Sequence, residues 1–414
     1  MPLNSSAAQL FSGAFSGKKI WLSGVSGFKG SWLAEWLLSL GADVCGFSLP
    51  PPTAPSLFEQ SGLASRIKWD CADLRDAGAV RSSLHAARPD FVFHLAAQPL
   101  VRLSYQEPLT TWETNVMGTI NVLEALRELS FQPGTRNDEP RTKNQERRTK
   151  NDEPSPRPVV AVMITTDKCY ENREWIHGYR EEDALGGYDP YSSSKAACEI
   201  AIASWRRSFF KDHPVKIASA RAGNVIGGGD WAQDRIVPDC LRALQASEPV
   251  PVRNQTAARP WQHVLDPLGG YLLLAARIAS PPATTATRNQ EPGTKNQEPG
   301  TRNEEPGTSN LCSAFNFGPN LDSNRSVAGL VQEILKHWPG EWLDKSDPDA
   351  PHEASKLNLA TDKAFHLLGW QPKWAFPTAI EKTVAWYREA AACRSPEEFS
   401  ALTRRQIDEY QNGG

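Results

Sequence analysis

The sequence predicts an α/β fold, in which a doubly wound parallel sheet is followed by a smaller, mostly helical part. Short apolar runs alternate with longer segments of helical pattern, which is typical of strands joined by helices in a parallel sheet. Two of these runs are Lys19–Leu22 and Val159–Ile164. A glycine-rich turn follows the first, and hydroxyl and charged residues follow the second. Parallel strands place their carboxyl ends at one edge, so we expect both groups to meet there.

Length and composition exclude several classes of protein. A chain of 414 residues suggests two domains or one elaborated domain, and 40% hydrophobic residues with 14 Trp can form a sizeable core. A net charge of −3 indicates neither nucleic acid nor an anionic membrane as a partner. The 7 Cys show no metal-ligand spacing, so we expect reduced thiols, a cytoplasmic location and no metal. No signal peptide is recognised, and no apolar run approaches the roughly 20 residues of a membrane span.

The first strand leads into three glycines with the spacing G-x-x-G-x-x-G, and a helix is predicted from Ser31 to about Leu40. This arrangement lets backbone N–H groups and the helix N-terminus meet a pyrophosphate. A tight turn without a ligand is the alternative. The predicted NAD contacts in this turn are Gly24, Gly27, Phe28, Lys29 and Gly30.

The second strand, Asp43–Leu49, does not decide between NAD and NADP. Its end carries neither the acidic residue that holds ribose hydroxyls nor an Arg for a 2′-phosphate. We therefore expect loosely held adenosine and dependence on supplied NAD. After the third strand, Asp73 and Leu74 are predicted to contact the cofactor, with Asp73 against adenine. Asp73 as a helix N-cap is an equally good interpretation.

The fourth strand, Phe91–Pro99, ends in small residues that would let the nicotinamide half approach the backbone. Its predicted cofactor contacts are Leu95, Ala96 and Ala97, and Gln98 is predicted to bind substrate. His94 lies inside the strand and is interpreted as a core histidine rather than a base. Asn115, at the start of the next helix, is a candidate substrate contact or a helix cap.

Residues 165–195 carry the predicted chemistry. Thr165 and Thr166 end the fifth strand, and Tyr191 and Lys195 lie on one face of a helix that runs to about residue 207. A phenol with a pKa of about 10 is a poor base, but a neighbouring cation and an oxidised nicotinamide favour the phenolate. Thr166 could hydrogen-bond the same oxygen or the substrate. The pattern Tyr-x-x-x-Lys also arises by chance. It supports a catalytic role here because it follows a strand that ends in hydroxyl and charged residues.

Two segments consist of seven-residue repeats rich in Pro and charge, at 134–154 and 288–308. No repeat position is apolar, so a coiled coil has no seam to bury. Such a composition cannot offset the entropy of ordering. We therefore predict two disordered surface inserts, at about 131–157 and 281–310, without a catalytic role.

Beyond the catalytic helix, a strand at Lys216–Arg221 leads into a loop with Gly and polar residues. Guanidinium groups and an aromatic face there suit a diphosphate and a base. The candidates for substrate binding are Asn224, Arg235, Arg259 and His263. Each could equally be an ordinary surface or core residue.

These residues resemble the extended short-chain dehydrogenase/reductases of the NAD-dependent epimerase/dehydratase family and, within them, the CDP-glucose 4,6-dehydratases. The resemblance covers roughly residues 18–392, apart from the inserts. It depends on six strings, which are Gly27–Leu33, His94–Tyr105, Asp167–Asn172, Tyr188–Lys195, Ala220–Trp231 and Arg259–Val264.

The resemblance implies a Rossmann-type NAD-binding domain at 18–221. It implies a substrate-binding part at 222–392, with some strands returning to the Rossmann sheet. Residues 1–17 are then expected to be a flexible leader and residues 393–414 a C-terminal tail. A homodimer or homotetramer is also implied.

The resemblance further implies a hydro-lyase that converts CDP-D-glucose to CDP-4-dehydro-6-deoxy-D-glucose and water by internal hydride transfer through NAD. Such a product feeds deoxysugars of surface polysaccharides, including the lipopolysaccharide O-antigen. Tyr191, activated by Lys195 and aided by Thr166, would take the 4-hydroxyl proton. Asp167 would protonate the leaving 6-hydroxyl.

Lys168 stands where related dTDP-glucose dehydratases carry a Glu suited to taking the C5 proton. A neutral Lys168 amine could take that proton, or Lys168 could only support charge while another group or water does so. Two alternatives to a dehydratase remain. One is a sugar-nucleotide epimerase or decarboxylase, which does not need the Asp-Lys pair. The other is a non-catalytic NAD(P)-sensing regulator, which would not need Thr166, Tyr191 and Lys195.

Overall fold

A computed structural model describes residues 13–129, 158–280, 311–346 and 356–413. The strands among them are β1 (Lys19–Ser23), β2 (Asp43–Ser48), β3 (Lys68–Cys71), β4 (Phe91–His94), β5 (Val159–Ile164), β6 (Val215–Ala222), β7 (Val225–Ile226), β8 (Val250–Val252), β9 (Ala258–Pro260), β10 (Gln262–His263), β11 (Ala314–Phe317), β12 (Asn324–Ser326) and β13 (Trp342–Asp344). The α-helices are α1 (Phe28–Ser39), α2 (Leu57–Gln60), α3 (Leu63–Arg66), α4 (Ala77–Ala87), α5 (Val101–Gln106), α6 (Pro108–Trp112), α7 (Gly118–Arg127), α8 (Pro190–Ser208), α9 (Ile236–Gln245), α10 (Leu265–Ala279), α11 (Val327–His337), α12 (Asp362–Leu368), α13 (Phe376–Ala390) and α14 (Pro396–Asn412). A π-helical turn (Glu113–Met117) joins α6 to α7, and short 3-10 turns lie at Asp167–Cys169 and Leu321–Ser323.

Seven of the described strands form one sheet in the order β3-β2-β1-β4-β5-β6-β11. Every pairing in this sheet is parallel. The strand order reverses between β1 and β4, and ligands of doubly wound sheets bind outside the carboxyl ends of the strands at such a point. The predicted doubly wound parallel sheet is confirmed, and its reversal point lies at the glycine turn.

Apolar strands explain why the sheet is buried on both faces. All six residues of β5 are buried, as its uninterrupted apolar run predicts. On one face α1 and α10 pack into a large core with residues such as Trp32, Trp36 and Tyr271. On the other face α4, α7 and α8 pack around residues such as Val122 and Ile202.

The later part of the chain contributes to the sheet as well as covering it. Strand β11 lies at the sheet edge beside β6, with Phe315 opposite Ala220. The remaining strands form three short pairs, β7 with β10, β9 with β12 and β8 with β13. Among the described residues after β6, helices α9 to α14 provide most of the regular structure.

Both described ends of the chain are packed rather than loose. Phe15 is fully buried with its ring centroid 4.9 Å from that of Phe91, so the leader prediction is wrong for this residue. Residues 1–12 lie outside the described part. The predicted tail contains α14, whose Tyr410 ring lies 5.7 Å from the ring of Trp36 on α1. The apolar stripe of Leu402 and Ile407 is buried, which explains why this segment docks as a helix.

The two repeat segments predicted as disordered, at about 131–157 and 281–310, lie outside the described residues. Of the helices that the structure describes, none has the length and apolarity needed to cross a membrane.

Candidate active site

The glycine turn between β1 and α1 is held tightly by its own backbone. Gly24 has φ = 74°, and a Cβ there would lie 2.7 Å from the backbone nitrogen of Ala96. A Cβ on Gly30 would overlap the Gly24 carbonyl. Gly27 is the N-cap of α1 and has no side chain to satisfy the first N–H groups of the helix. The turn therefore fits the pyrophosphate of a dinucleotide, since N–H groups and the helix dipole can meet it directly.

The segment after β4 is fixed beside this turn. The Ser23 hydroxyl accepts hydrogen bonds from the backbone N–H groups of Leu95 and Ala96, at 3.1 and 3.2 Å. Asn115 accepts from the Gln98 N–H at 2.8 Å and donates to the Gln98 carbonyl at 3.2 Å and to the Ser194 hydroxyl at 2.9 Å. Asn115 thus anchors this segment to α8, and it lies in the π-helical turn, not at a helix cap.

The end of β5 places two polar side chains at the same edge. The Thr166 hydroxyl caps the following 3-10 turn and donates to Asp167 Oδ1 at 3.0 Å. Asp167 Oδ2 faces Gly223, because a Cβ at that glycine would lie 2.8 Å from it. Lys168 is half-buried beside the carboxylate. A glycine at 223 therefore makes room for the Asp167 side chain.

Helix α8 presents Tyr191 and Lys195 to this group. Asp189 caps the helix by accepting from the Ser192 N–H at 2.9 Å, and Pro190 occupies its first position. Thr166 lies near enough to the Tyr191 phenol for its hydroxyl to oppose the rise in the phenol pKa. Lys195 follows one turn later and is buried. Hence Thr166 and Asp167 are joined by a hydrogen bond, and Tyr191 lies near Thr166.

Burial affects the ionisation of Tyr191. It raises the pKa of the Tyr191 phenol well above its ordinary value, while the Thr166 hydroxyl and the Arg235 charge act in the opposite direction. Burial lowers the pKa of Lys195, and the nearby Glu199 raises it. Without NAD, burial therefore favours the protonated phenol, and support of the phenolate by Lys195 together with an oxidised nicotinamide stays a prediction.

The buried carboxyl of Asp167 holds a proton more tightly than an exposed carboxyl does. Burial raises the pKa of its carboxyl, against the opposing influence of Lys168, Thr166, Lys29 and Arg259. Lys29, predicted only as part of the cofactor turn, is close enough to the carboxyl for their charges to interact. Burial lowers the pKa of Lys29 to about 8, with the charge of Arg235 acting in the same direction. The site thus combines one buried carboxyl with several cations, which suits an anionic substrate.

A buried ion pair behind the site was missed by sequence reasoning. Glu199 on α8 accepts hydrogen bonds from Thr165 Oγ1 and from Ser219 Oγ, the latter at 2.8 Å. Its partner is Arg221 at the end of β6, at 2.9 Å. Glu199 lies four residues after Lys195, a spacing that places the two side chains on one face of α8 and could have directed attention to Glu199. Its contact with Arg221 joins two segments that only the fold brings together.

The predicted substrate contacts separate into two groups. Arg235 donates to Asp230 Oδ2 at 2.9 Å and interacts electrostatically with Tyr191, and Arg259 interacts with Asp167, so both lie at the site. Asn224 is half-buried in the loop after β6. His263 is fully buried, its ring 4.7 Å from that of Trp374 and 5.9 Å from that of Trp32. Its assignment as a substrate contact is wrong, because it belongs to the core.

Four other predicted residues have their interactions inside the protein. Asp73 binds Arg75, and the N-cap of α4 is Asp76, so the cap interpretation of Asp73 is wrong. Leu74 is buried against Gly118, so its side chain packs inside the protein, and its contact with the cofactor stays a prediction. The Gln98 amide donates to Thr111 Oγ1 at 2.9 Å and to the Leu100 carbonyl at 3.1 Å, and its oxygen accepts from the Leu100 N–H. The side-chain groups of Asn115 are likewise used within the protein.

His94 is a core histidine, as the sequence indicated. One ring nitrogen pairs with the Ser23 hydroxyl at 2.7 Å and the other with the Thr119 hydroxyl at 3.1 Å. Burial lowers the pKa of its imidazole to about 3. Among the described residues no cluster of three His, Cys, Asp or Glu side chains could hold a metal ion.

Comparison with known proteins gives one family. Residues 22–290 match the family model described as GDP-mannose 4,6 dehydratase. The chain is 38% identical over 405 residues to a CDP-glucose 4,6-dehydratase of Salmonella typhimurium, covering 96% of this chain and 97% of that protein.

Solved structures with the same fold are more distant in sequence. The epimerase Mth375 of Methanothermobacter thermautotrophicus superposes with a TM-score of 0.68 at 19% identity, covering 98% of this chain and 99% of that one. A dTDP-glucose 4,6-dehydratase of Streptomyces venezuelae, solved with NAD bound, gives 0.66 at 19% identity, covering 89% and 97%.

Proposed function

The chain belongs to the GDP-mannose 4,6 dehydratase family, and we propose that it is a sugar-nucleotide 4,6-dehydratase acting on CDP-glucose. The observation that carries the reaction type is the group of Tyr191, Thr166 and Asp167 beside the glycine turn, in which the Thr166 hydroxyl donates to the Asp167 carboxyl. A base for the 4-hydroxyl and an acid for the 6-hydroxyl are the two groups that this elimination requires. The choice of CDP-glucose follows the Salmonella relative.

NAD, when bound, would take the C4 hydrogen with its electron pair, return both to C6, and favour the Tyr191 phenolate through its positive ring. Gly24, Gly27 and Gly30 would hold its pyrophosphate, and Leu95 to Ala97 would lie against its nicotinamide half. Tyr191 would receive the proton of the 4-hydroxyl, and Lys195 would support the phenolate. The role of Arg235 and Arg259 would be to bind the diphosphate.

Asp167 supplies the proton that turns the leaving 6-hydroxyl into water. Its raised pKa supports this role, because a carboxyl must be protonated to donate. An epimerase needs no such acid, so the buried Asp167 favours dehydration over the epimerase alternative. A regulator that only senses NAD(P) would not need Thr166, Tyr191 and Lys195.

The C5 proton is proposed to pass to Lys168, which is half-buried next to Asp167. Lys168 must be a neutral amine to accept it. With Lys168→Ala, we expect slower entry of solvent deuterium at C5 of the 4-keto sugar. Undiminished exchange would assign Lys168 to charge support, with another group or water as the base.

We also propose that the chain assembles as a homodimer or homotetramer. Exposed apolar side chains on adjoining helical segments support this, with Leu109, Met117 and Ile200 exposed by 79%, 50% and 58%. Light scattering of the purified protein tests it, and a monomer at all concentrations would contradict it. The seven free cysteines support a reducing, cytoplasmic setting.

The function is tested by incubating the protein with CDP-, dTDP-, UDP- and GDP-hexoses, with and without added NAD. A 4-keto-6-deoxy sugar absorbs after alkali treatment, and we expect it from CDP-glucose, with more product when NAD is added. Tyr191→Phe should lower turnover by roughly 100- to 10,000-fold. Equal turnover by Tyr191→Phe, or no product from any hexose, would reject the proposal.

A further inference from the structure

His94 lies in the middle of a chain of hydrogen bonds behind the proposed site. Its ring nitrogen Nδ1 lies 2.7 Å from the Ser23 hydroxyl, and Nε2 lies 3.1 Å from the Thr119 hydroxyl. The Thr119 hydroxyl in turn lies 2.6 Å from the backbone oxygen of Asn115, in the π-helical turn. These four residues are at most 3% exposed, so their polar groups find their partners within the protein.

The direction of the first bond follows from the bonds that Ser23 accepts. A hydroxyl has one proton to donate and two lone pairs that accept. The N–H groups of Leu95 and Ala96 donate to the Ser23 oxygen at 3.1 and 3.2 Å, so both lone pairs are in use. The Ser23 proton therefore goes to Nδ1 of His94, which must be an acceptor. His94 then carries its own proton on Nε2.

The other end of the chain requires the same tautomer. A backbone carbonyl can only accept, so the short contact between Thr119 and the Asn115 oxygen contains the Thr119 proton. The Cys198 sulfur, 3.6 Å from the Thr119 hydroxyl, is a much weaker acceptor. The Thr119 oxygen is left to accept, and Nε2 of His94 must donate to it. Two separate ends thus assign one tautomer to the ring.

The side chain of Asn115 continues the chain to helix α8. Its Nδ2 donates to the Ser194 hydroxyl at 2.9 Å, and that hydroxyl donates to the backbone carbonyl of Tyr191 at 2.7 Å. Its Oδ1 accepts from the Gln98 N–H at 2.8 Å. The segment that follows β4 is therefore joined, through His94 and Asn115, to the backbone of Tyr191.

The proposed reaction needs a fixed distance between these two elements. The segment Leu95–Ala97 is proposed to lie against the nicotinamide, which takes hydride from C4, whereas Tyr191 is proposed to take the proton of the 4-hydroxyl. Both acceptors must be aligned with one carbon and its oxygen at the same time. A displacement of about 1 Å between reacting groups can slow a reaction by roughly 100-fold.

We propose that His94, as the tautomer protonated at Nε2, is a positioning residue that holds the nicotinamide-facing segment at a fixed distance from Tyr191. It transfers neither a proton nor hydride, because both ring nitrogens are used within the chain. This inference rests on the proposed function and adds what aligns its two acceptors. The competing explanation is packing, in which the imidazole and its hydrogen bonds stabilise the fold without setting the geometry of the site.

Thr119 offers a mild way to break the chain, since Thr119→Val removes the hydroxyl and keeps the shape, and Thr119→Ser keeps the hydroxyl. The measurements are the rapid-mixing rate of nicotinamide reduction and its isotope effect with deuterium at C4 of CDP-glucose, both at saturating NAD. We expect Thr119→Val to slow reduction by roughly 10- to 100-fold and to increase the isotope effect, with KM changed by less than about 3-fold. Thr119→Ser should stay within about 3-fold of the wild-type rate.

Thr403→Val is the matched control. Thr403 is fully buried on α14, where its oxygen accepts from Trp386 Nε1 at 3.2 Å and its hydroxyl donates to the Phe399 carbonyl at 2.9 Å. It therefore repeats the bonding pattern of Thr119 on a helix that is not part of the chain. We expect similar losses in the free energy of unfolding for the two Val variants, but an unchanged reduction rate and isotope effect for Thr403→Val. Equal slowing of both variants, or unchanged reduction by Thr119→Val, overturns the positioning role.

Nuclear magnetic resonance of protein labelled in its histidine ring nitrogens tests the tautomer without turnover. The signals of His94 are those missing from His94→Gln, and the ring shifted in Thr119→Val identifies them again if the first variant does not fold. We expect a bare Nδ1 and a protonated Nε2 from about pH 5 to pH 8. A proton on Nδ1 overturns the chain, whatever the activity. Inactivity of the wild-type protein towards every hexose nucleotide rejects the proposed function, and the positioning role with it.

Discussion

Arg221 Nη2 lies 2.9 Å from Glu199 Oε2, and both side chains are at most 4% exposed. The arginine also donates to the Tyr170 hydroxyl at 2.7 Å and lies over the ring of Tyr170. The glutamate accepts from Thr165, the residue that precedes Thr166 and Asp167 at the end of β5. This ion pair therefore fixes the end of β5 from behind, between α8 and β6.

Replacing Glu199 with Gln should destabilise the protein by about 3–5 kcal/mol, because Arg221 would remain buried without a counter-ion. The measurement is the free energy of unfolding in urea. Glu333→Gln is the control, since its partner Lys336 is 66% exposed, and its cost should stay below about 1 kcal/mol. Similar losses in the free energy of unfolding for both variants would show that burial of the Glu199–Arg221 pair does not determine the cost of removing the carboxylate.

Asp167→Asn should stop the reaction after oxidation at C4. An amide cannot protonate the leaving 6-hydroxyl, whereas Tyr191 and Lys195 remain unchanged. We expect absorbance of reduced nicotinamide to appear when CDP-glucose is added, and overall product formation to fall by roughly 100- to 10,000-fold. Asp189→Asn, at the cap of α8, keeps an acceptor oxygen and is the control. Normal product formation by Asp167→Asn would assign the acid role elsewhere.

Gly24→Ala should cost more stability than Gly369→Ala and should also abolish NAD binding. Both glycines have left-handed φ, 74° and 70°, so each alanine carries a strain of about 1–2 kcal/mol. Only at Gly24 would the new methyl also meet the backbone of Ala96, whereas nothing lies within 4 Å at Gly369. NAD binding by calorimetry and unfolding by urea separate the two effects. Equal losses of stability for the two variants, together with retained NAD binding by Gly24→Ala, would argue against a close approach of residue 24 to the Ala96 backbone.

Asp266 should make the protein less stable as the pH rises. Burial raises the pKa of its carboxyl to about 7, although the Tyr410 hydroxyl and the Lys373 N–H both donate to it. The folded pKa exceeds the unfolded value of about 4, so the folded protein holds the proton more tightly and stability is lost between about pH 4 and pH 7. Asp266→Asn removes this loss.

Urea unfolding across that pH range measures the effect. The stability of Asp266→Asn relative to the wild-type protein should increase with pH. Asp344→Asn is the control, because Asp344 is exposed and hydrogen bonds from Ser346 lower its carboxyl pKa, which reverses the sign. A constant difference between Asp266→Asn and the wild-type protein would contradict the assigned pKa.

Local pattern predicted the elements that carry the site. The apolar run of β5, the glycine spacing before α1 and the i, i+4 pair of Tyr191 and Lys195 each depend on neighbours in the chain. Parallel strands then bring these segments to one edge, so their meeting follows from topology. For this reason Thr166, Asp167 and Tyr191 could be grouped before any coordinates.

Features set by long-range packing could not be predicted in the same way. His263 was predicted to bind substrate, yet its ring is enclosed by Trp32 and Trp374 from distant segments. The proximity of Lys29 to Asp167 depends on how α1 crosses the end of β5. Likewise, burial raises the pKa of the Tyr191 phenol, and the spacing of residues along a helix does not show how deeply a side chain is buried.

Helix α1, which opens the proposed nucleotide site, is completed by a helix that follows it by more than three hundred residues. Glu35 on α1 is fully buried, and its carboxylate is neutralised by Arg66 and by Arg404 of α14, with a hydrogen bond from Ser400. A nascent chain halted before α14 would hold that negative charge in an apolar surface with Arg404 and Ser400 still unsynthesised. Maturation of the amino-terminal site is thereby deferred until α14 has been translated, and a premature stop near residue 395 would disable a region encoded more than three hundred codons earlier.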